Sequence, residues 1–179
     1  MIGRTRIGLV YHSEGGHVAS LASCIAEGAR AVAGAEVEVY SVDEIEPRSL
    51  ADFDAIILGC PTRFGTISAA MKAFMERTLD AWEARTLQDR IGASFSVSGG
   101  VCGDKVLALA AINHFFFMHG MIVIGNPMSS LNTDLFIGAG AKTQQLAKHG
   151  ALFSTEDAER SRALGRRVAI LAARLRGPS

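Results

Sequence analysis

Between Gly59 and Arg77 the chain runs Gly-Cys-Pro-Thr-Arg-Phe-Gly-Thr-Ile-Ser-Ala-Ala-Met-Lys-Ala-Phe-Met-Glu-Arg. The apolar residues Ala55-Ile56-Ile57-Leu58-Gly59 lead into it as a buried strand. A polar loop, Pro61-Thr62-Arg63-Phe64-Gly65, leaves the end of that strand. An amphipathic helix follows over Ile67–Leu79, with Met71, Phe74, Met75 and Leu79 on one face. A strand, a loop and a helix in that order are the unit of an open α/β sheet, whose ligands bind at the carboxyl ends of the strands. This loop offers main-chain amides, a hydroxyl, a guanidinium and an aromatic ring. That set suits a flat heterocycle with polar edges better than a sugar or a metal.

The same unit recurs along the chain. Arg6 to Tyr11 forms a strand and His17 to Val32 a helix, with Val18, Leu21, Ala22, Ile25, Ala29 and Val32 on one side and Gly34 after its end. Glu36-Val37-Glu38-Val39-Tyr40 alternates as an edge strand with one wet face should. Ile91–Val97 and Met121–Gly125 supply the fourth and fifth strands, with a helix over Asp104–His119 between them. Thr155 opens a last helix whose apolar face carries Leu164, Val168, Leu171 and Leu175; residues 126–153 are Gly- and Ser-rich and show no clear period. With no repeat and no linker, residues 1–179 are expected to be a single α/β domain, a five-stranded parallel sheet doubly wound with helices on both faces. A Rossmann domain requires Gly-x-Gly-x-x-Gly after the first strand, which is absent here. A flavodoxin-like domain requires a phosphate loop with a hydroxyl and glycines, which is present.

Eighteen basic and eighteen acidic residues balance, so no broad field draws the chain to nucleic acid or an acidic membrane. The one basic cluster, Arg160, Arg162, Arg166, Arg167, Arg174 and Arg176, lies on the last helix and is expected to be a solvated face. Apolar residues make up 49% of the chain, yet no run approaches the ~20 needed to span a bilayer. The surplus predicts a covered subunit surface, in a homo-oligomer such as a dimer or tetramer. Met1 to Arg6 lack the apolar stretch of a signal peptide, and Cys24, Cys60 and Cys102 are too scattered for a metal or disulfide pattern. A cytoplasmic protein without a metal site is expected.

Two further loops carry candidate chemistry. After the first strand, His12-Ser13-Glu14-Gly15-Gly16-His17-Val18 combines a hydroxyl, two glycines and a helix start, the makings of an anion site. An ordinary turn capped by Ser13 fits the same residues, and Glu14 suits a phosphate site only if it points to solvent. After the fourth strand comes Ser98-Gly99-Gly100-Val101-Cys102-Gly103-Asp104, whose glycines allow a ligand close to the main chain. Nothing near Cys102 in sequence would activate its thiol, which fits a bystander beside a ring. Trp82, the only tryptophan, either caps a core or walls a planar substrate. Phe115, Phe116 and Phe117 cannot all face one core, and they point to a subunit surface or, failing that, to a substrate wall. Gly138-Ala139-Gly140-Ala141-Lys142-Thr143 departs from a P-loop because its Lys follows Ala.

At these loops the chain resembles the flavodoxin-like NAD(P)H:quinone oxidoreductases of the tryptophan-repressor-binding-protein family. The family's Pro-Thr-Arg-Phe-Gly is matched in full by Pro61 to Gly65 and continues into Ser68-Ala69-Ala70-Met71-Lys72-Ala73-Phe74. Its phosphate loop is similar to Ser13–Val18, its third loop to Ser98–Gly103, its tryptophan to Trp82, and its His-Gly-Met to His119-Gly120-Met121. The resemblance spans roughly residues 6–125. It departs at Gly15, where the family carries Tyr, and at Met118, where it carries His. It implies FMN, with phosphate at Ser13–Val18 and the ring held by Thr62–Phe64 and Ser98–Gly103. It also implies quinone reduction by NADH or NADPH, and a tetramer.

Two classes of function follow: an enzyme passing hydride from a nicotinamide through FMN to a quinone, or a flavodoxin-type electron carrier. Carriers dock basic partners by strong negative charge. The zero formal charge here favours the enzyme.

Overall fold

The computed structural model describes residues 4–100, 105–128, 136–143 and 152–176. In chain order the elements are β1 (Thr5–Tyr11), α1 (His17–Arg30), β2 (Ala35–Ser41), a 3-10 turn (Pro47–Asp52), β3 (Ala55–Pro61), α2 (Ala69–Glu76), α3 (Leu79–Glu83), β4 (Ile91–Ser98), α4 (Lys105–Met118), β5 (Ile122–Val123), β6 (Ala139–Lys142) and α5 (Thr155–Leu175). All strand pairings are parallel, in the order β2-β1-β3-β4-β5, with β6 also on β4. This is the doubly wound order of flavodoxin-like folds, with its reversal between β1 and β3.

The fifth position of the sheet is filled in two pieces. Ile122 and Val123 lie beside Ile91 and Gly92 at the start of β4, while Ala139 to Lys142 lie beside Phe95 to Ser98 at its end. The strand expected over Met121–Gly125 is therefore shorter than its apolar run. After Ile124 donates to the Gly92 carbonyl (2.9 Å), the Asn126 amide turns to the Phe136 carbonyl (3.0 Å). The returning chain then takes over the edge of β4. Within the segment 126–153 that shows no period in sequence, Ala139-Gly140-Ala141 is buried strand.

Strand side chains alternate between two cores. Ile7, Leu9, Ile57, Ala93 and Phe95 pack under α1 and α5. Val10, Ile56, Leu58 and Cys60 pack under α2, α4 and the 3-10 turn. Central strands buried on both faces explain the unbroken apolar run of β3. The edge strand β2 departs from its expected wet and dry alternation, since all seven residues are half-buried. Its acids are covered: Arg6 donates to Glu38 (2.9 Å), Arg4 to Glu36 (2.5 Å), and the Tyr40 hydroxyl to Glu38 (2.6 Å).

Two glycine arrangements bring the layers close. Gly28 of α1 and Gly165 of α5 face the backbone of the opposite helix, where a Cβ would sit 2.0 Å from the Arg162 carbonyl oxygen and 1.9 Å from that of Ile25. In the sheet, Gly8, Gly59 and Gly92 lie under the rings of Phe53, Phe95 and Phe116.

The helix expected over Ile67–Leu79 divides. Ser68 caps α2, accepting from the Met71 amide (3.4 Å), and α2 ends at Glu76, with Arg77 as its C-cap, before α3 starts at Leu79. Met71, Phe74 and Met75 are buried as expected, but Leu79 is 58% exposed because it belongs to the second helix. On α4 the three phenylalanines diverge: Phe116 is fully buried, Phe115 half-buried and Phe117 61% exposed. In the basic cluster of α5, Arg166, Arg174 and Arg176 are exposed as expected, while Arg160, Arg162 and Arg167 are half-buried. Arg160 binds Glu156 and Asp157, Arg162 binds Glu27, Arg167 donates to the Gly125 and Asn126 carbonyls, and Arg176 reaches Asp54. Among the described residues, no helix is long and apolar enough to cross a membrane.

Candidate functional site

The chain reverses between β1 and β3, so the loops leaving these strands diverge and open a crevice at their carboxyl ends. The His12 amide holds the first loop to the Gly59 carbonyl (3.0 Å), after which the backbone passes through Gly16 at φ 80° into α1. Gly16 occupies the cap position, with no side chain capping it. Ser13 lies three residues before that position, yet its hydroxyl accepts from the Ala19 amide at 3.4 Å and so takes up one first-turn donor of α1. Among the described residues, no amide from Ser13 to Val18 donates to a carbonyl in these turns and loops. The first-turn amides of a helix have no partner within it. This leaves a row of donors at the positive end of the α1 dipole.

The second loop begins with Thr62, whose amide donates to the Val97 carbonyl (2.9 Å). The Ser96 hydroxyl donates to the Cys60 carbonyl (2.9 Å), so its contact with Thr62 Oγ1 (3.0 Å) makes Thr62 the donor there. Arg63 and Thr66 then exchange two backbone hydrogen bonds (2.9 and 3.0 Å) around Phe64 at φ 46° and Gly65 at φ 80°. Positive φ at both central positions is a type I′ turn. A bulky Phe in the left-handed region is uncommon, and such conformations cluster at functional sites. Here the turn throws the Phe64 ring fully into solvent.

The Arg63 guanidinium pairs with Glu14, joining the first loop to the second. Glu14 also lies 3.9 Å from His12 Nε2, while His12 Nδ1 meets the Ser68 hydroxyl at 2.9 Å. The third loop is tied from within: the Ser98 hydroxyl donates to the Gly100 carbonyl (2.9 Å), and the Thr143 amide donates to the Ser98 carbonyl (2.9 Å).

These loops enclose a cavity of about 470 Å³, within the ~300–1,000 Å³ usual for small-molecule sites. Ser13, Glu14, Gly15, His17, Val18, Pro61, Thr62, Arg63, Ser98 and Gly99 line it, as the loops predicted. Gly16, Phe64, Gly65 and Gly100 do not, being spent on turns or, for Phe64, turned to the neighbouring groove. Val101, Cys102 and Gly103 lie outside the described residues. Val97 and Thr143 line the cavity without having been anticipated. Val97 reaches it from the end of β4 next to the loop, and Thr143 because β6 docks on the end of β4. Cys60 lies beneath the site, fully buried, and burial pushes its thiol pKa up, so it offers no nucleophile. Among the described residues, no three His, Cys, Asp or Glu side chains gather as metal ligands.

A second, larger groove of about 1,150 Å³ adjoins the first across Arg63. Phe64, Met75, Leu79, Trp82, Phe115 and Met118 make it largely apolar. Trp82 is 46% exposed at its edge, with the indole N–H donating to the Met118 carbonyl (2.8 Å).

His119 sits at the base of this groove. The one proton of the Thr78 hydroxyl goes to the Met75 carbonyl (2.6 Å), so His119 Nε2 is the donor in its 3.0 Å contact with Thr78. Its Nδ1 is buried without a partner. The imidazole is thus neutral, and burial holds its pKa below the ordinary 6.5. The unfolded chain then binds a proton that the folded chain refuses, so stability is complete above pH 6.5 and falls as pH drops from there toward the folded pKa. The melting temperature should decline between pH 7 and pH 5, and His119→Gln should flatten that part of the profile. An equal decline in the variant would assign it to other groups.

A switch-point crevice with an anion cradle and polar ring-edge donors defines a flavodoxin-like nucleotide-binding protein. The comparisons agree with this class. Residues 47–135 match the family model described as NADPH-dependent FMN reductase. A protein of Acidithiobacillus ferrooxidans named NAD(P)H dehydrogenase (quinone) is 32% identical over 199 aligned positions, covering 97% of this chain and 100% of that one. One of the same name from Chromohalobacter salexigens is 32% identical across 70% of this chain and 73% of that one. The chain belongs to the NAD(P)H dehydrogenase (quinone) family. The crystal structure of a flavodoxin, WrbA-like protein from Agrobacterium tumefaciens superposes with a TM-score of 0.75 at 28% identity, covering 95% of this chain and 98% of that one. Flavodoxin 1 of Bacillus cereus shares the fold, with a TM-score of 0.68 at 19% identity, covering 98% of this chain and all of that one.

Proposed function

We propose that the protein is an FMN-dependent enzyme that reduces quinones with NADH or NADPH. The observation that carries this reading is the cavity at the β1–β3 reversal, with unpaired loop amides at one end and Thr62, Arg63, Ser98 and Gly99 at the other. The residues present fit FMN. One helix start can take one phosphate, and the sequence carries no Gly-x-Gly-x-x-Gly fingerprint for the pyrophosphate of FAD. When bound, FMN would supply the two-electron transfer between nicotinamide and quinone.

The chain's own part is binding and electrostatics. Amides of Ser13 to Val18 would hold the phosphate, and Thr62 and Arg63 would meet the polar edge of the ring. Glu14 holds Arg63 across the mouth of the cavity and faces solvent on its other side, which keeps its carboxylate compatible with a phosphate nearby. The apolar groove beside Arg63, edged by Trp82, would seat the quinone. A flavodoxin-type carrier has no use for such a groove and would be strongly acidic.

The test is anaerobic mixing of FMN-loaded protein with NADH or NADPH, followed by a quinone. The flavin absorbance should bleach and then recover; a band that neither nucleotide bleaches refutes the enzyme. Mass spectrometry of heat-released cofactor should find FMN, and FAD as the main species would refute the single-phosphate reading. Arg63→Ala should weaken FMN binding by about 1–3 kcal/mol, the worth of a charge-assisted hydrogen bond, while leaving the apo-protein's melting point unchanged. Loss of stability with unaltered affinity would make Arg63 a folding residue.

We also infer a homo-oligomer that buries the outer face of α4, where Leu107 and Phe117 are exposed together with Val106 and Met118. Light scattering should give a multiple of 19.0 kDa for wild type and a smaller mass for Phe117→Glu. A wild-type mass of one chain would refute this. We place the protein in the cytoplasm because Cys24 and Cys60 are buried free thiols. Recovery in the soluble cell fraction, with both titrating as thiols after denaturation, is the expected result; recovery from the periplasm would overturn the placement.

A further inference from the structure

Lys105, the first described residue of α4, is 94% buried by its 6% relative exposure. Its Nζ donates to the Ser98 hydroxyl at 3.0 Å. That hydroxyl in turn donates to the Gly100 carbonyl (2.9 Å), and Ser98 and Gly99 form the cavity wall. The ammonium therefore stands one hydroxyl behind the surface that the cofactor would touch. Lysine is among the residues least often buried, because its charge loses water that the interior does not replace. Here it also sits at the amino-terminal end of a helix, where the dipole opposes a cation. A Met would fill the same space without either cost. Its ammonium is directed at the hydroxyl of a cavity-wall residue, which places the charge where it can act on the site.

We propose that Lys105 is a positioning residue whose buried ammonium, acting through Ser98, favours the reduced over the oxidised form of the bound flavin. This rests on the proposal that FMN occupies the cavity. Two electrons taken up with one proton leave one added negative charge on the ring. A fixed cation in the low-dielectric wall stabilises that charge more than one in water would. Arg63 faces the same cavity from its half-exposed mouth, where solvent screens its field.

The experiment measures FMN affinity in both redox states, by titrating apo-protein with oxidised FMN and by the midpoint potential of the loaded protein. Lys105→Met should bind oxidised FMN within about threefold of wild type and reduced FMN roughly ten-fold more weakly. For a two-electron couple that ratio lowers the potential by about 30 mV. Lys105→Arg, which keeps the charge, should stay near the wild-type potential. Lys105→Gln separates charge from hydrogen bond, because its amide can still donate to Ser98. It should follow Lys105→Met, and it carries the test if the Met variant does not fold. A potential unchanged in Lys105→Met, equal losses in both redox states, or a wild-type potential in Lys105→Gln would each overturn the proposal. Failure of the wild-type protein to bind FMN would instead overturn the cofactor assignment on which it rests.

Discussion

Gly165→Ala should destabilise the protein by on the order of 3 kcal/mol, read as a lower urea midpoint with an unchanged slope. The new methyl would sit 1.9 Å from the Ile25 carbonyl oxygen and 3.0 Å from the Ala29 nitrogen. Both obstacles are backbone in the middle of α1, so no side chain can rotate out of the way. The helices must separate, and the packing of Leu21, Ile25, Leu164 and Val168 loosens with them. Gly28→Ala meets the same problem from the other side, against the Arg162 carbonyl at 2.0 Å. The two substitutions disturb one contact and should be less than additive when combined. Gly99→Ala is the control. Its nearest neighbour is Thr143 Oγ1 at 3.9 Å, so it should fold normally. A Gly165→Ala protein as stable as wild type would show that α1 and α5 are not held at this distance.

Phe116→Ala should lose about 3–5 kcal/mol, because a fully buried ring on α4 leaves a cavity that the sheet cannot close. Its partner is Gly92 of β4, where a Cβ would lie 2.6 Å from the ring. Gly92→Ala alone should cost about 1–3 kcal/mol by overpacking. Combined with Phe116→Leu, part of that cost should return, since the smaller side chain makes room for the methyl. Thermal or urea denaturation of the two singles and the double gives the coupling directly, and strict additivity would refute the contact.

The fold was legible wherever local pattern and burial agree. The run Ala55 to Cys60 and the helix His17 to Arg30 carry their own periods, and the β1 and β3 loops follow from the order of elements. What could not be read depended on contacts distant in sequence. Ala139-Gly140-Ala141 has almost no strand propensity of its own and becomes strand because the edge of β4 is free there. Thr143 reaches the cavity for the same reason. The split of the second helix turns on Thr78, whose hydroxyl returns to Met75 and holds His119, a partner 41 residues away. Within the site, residue types announced the anion cradle and Arg63. The link between Glu14 and Arg63, and the buried Lys105 behind Ser98, exist only once the three loops are brought together.

The divided fifth position of the sheet has a consequence for how this chain can be altered. β6 takes its register from β4, and 15 residues separate β5 from β6, with the Asn126 amide bonded to the Phe136 carbonyl (3.0 Å) between them. A residue added between the two pairings leaves the register of each with β4 in place, whereas one residue added inside β3 would reverse every side chain beyond it.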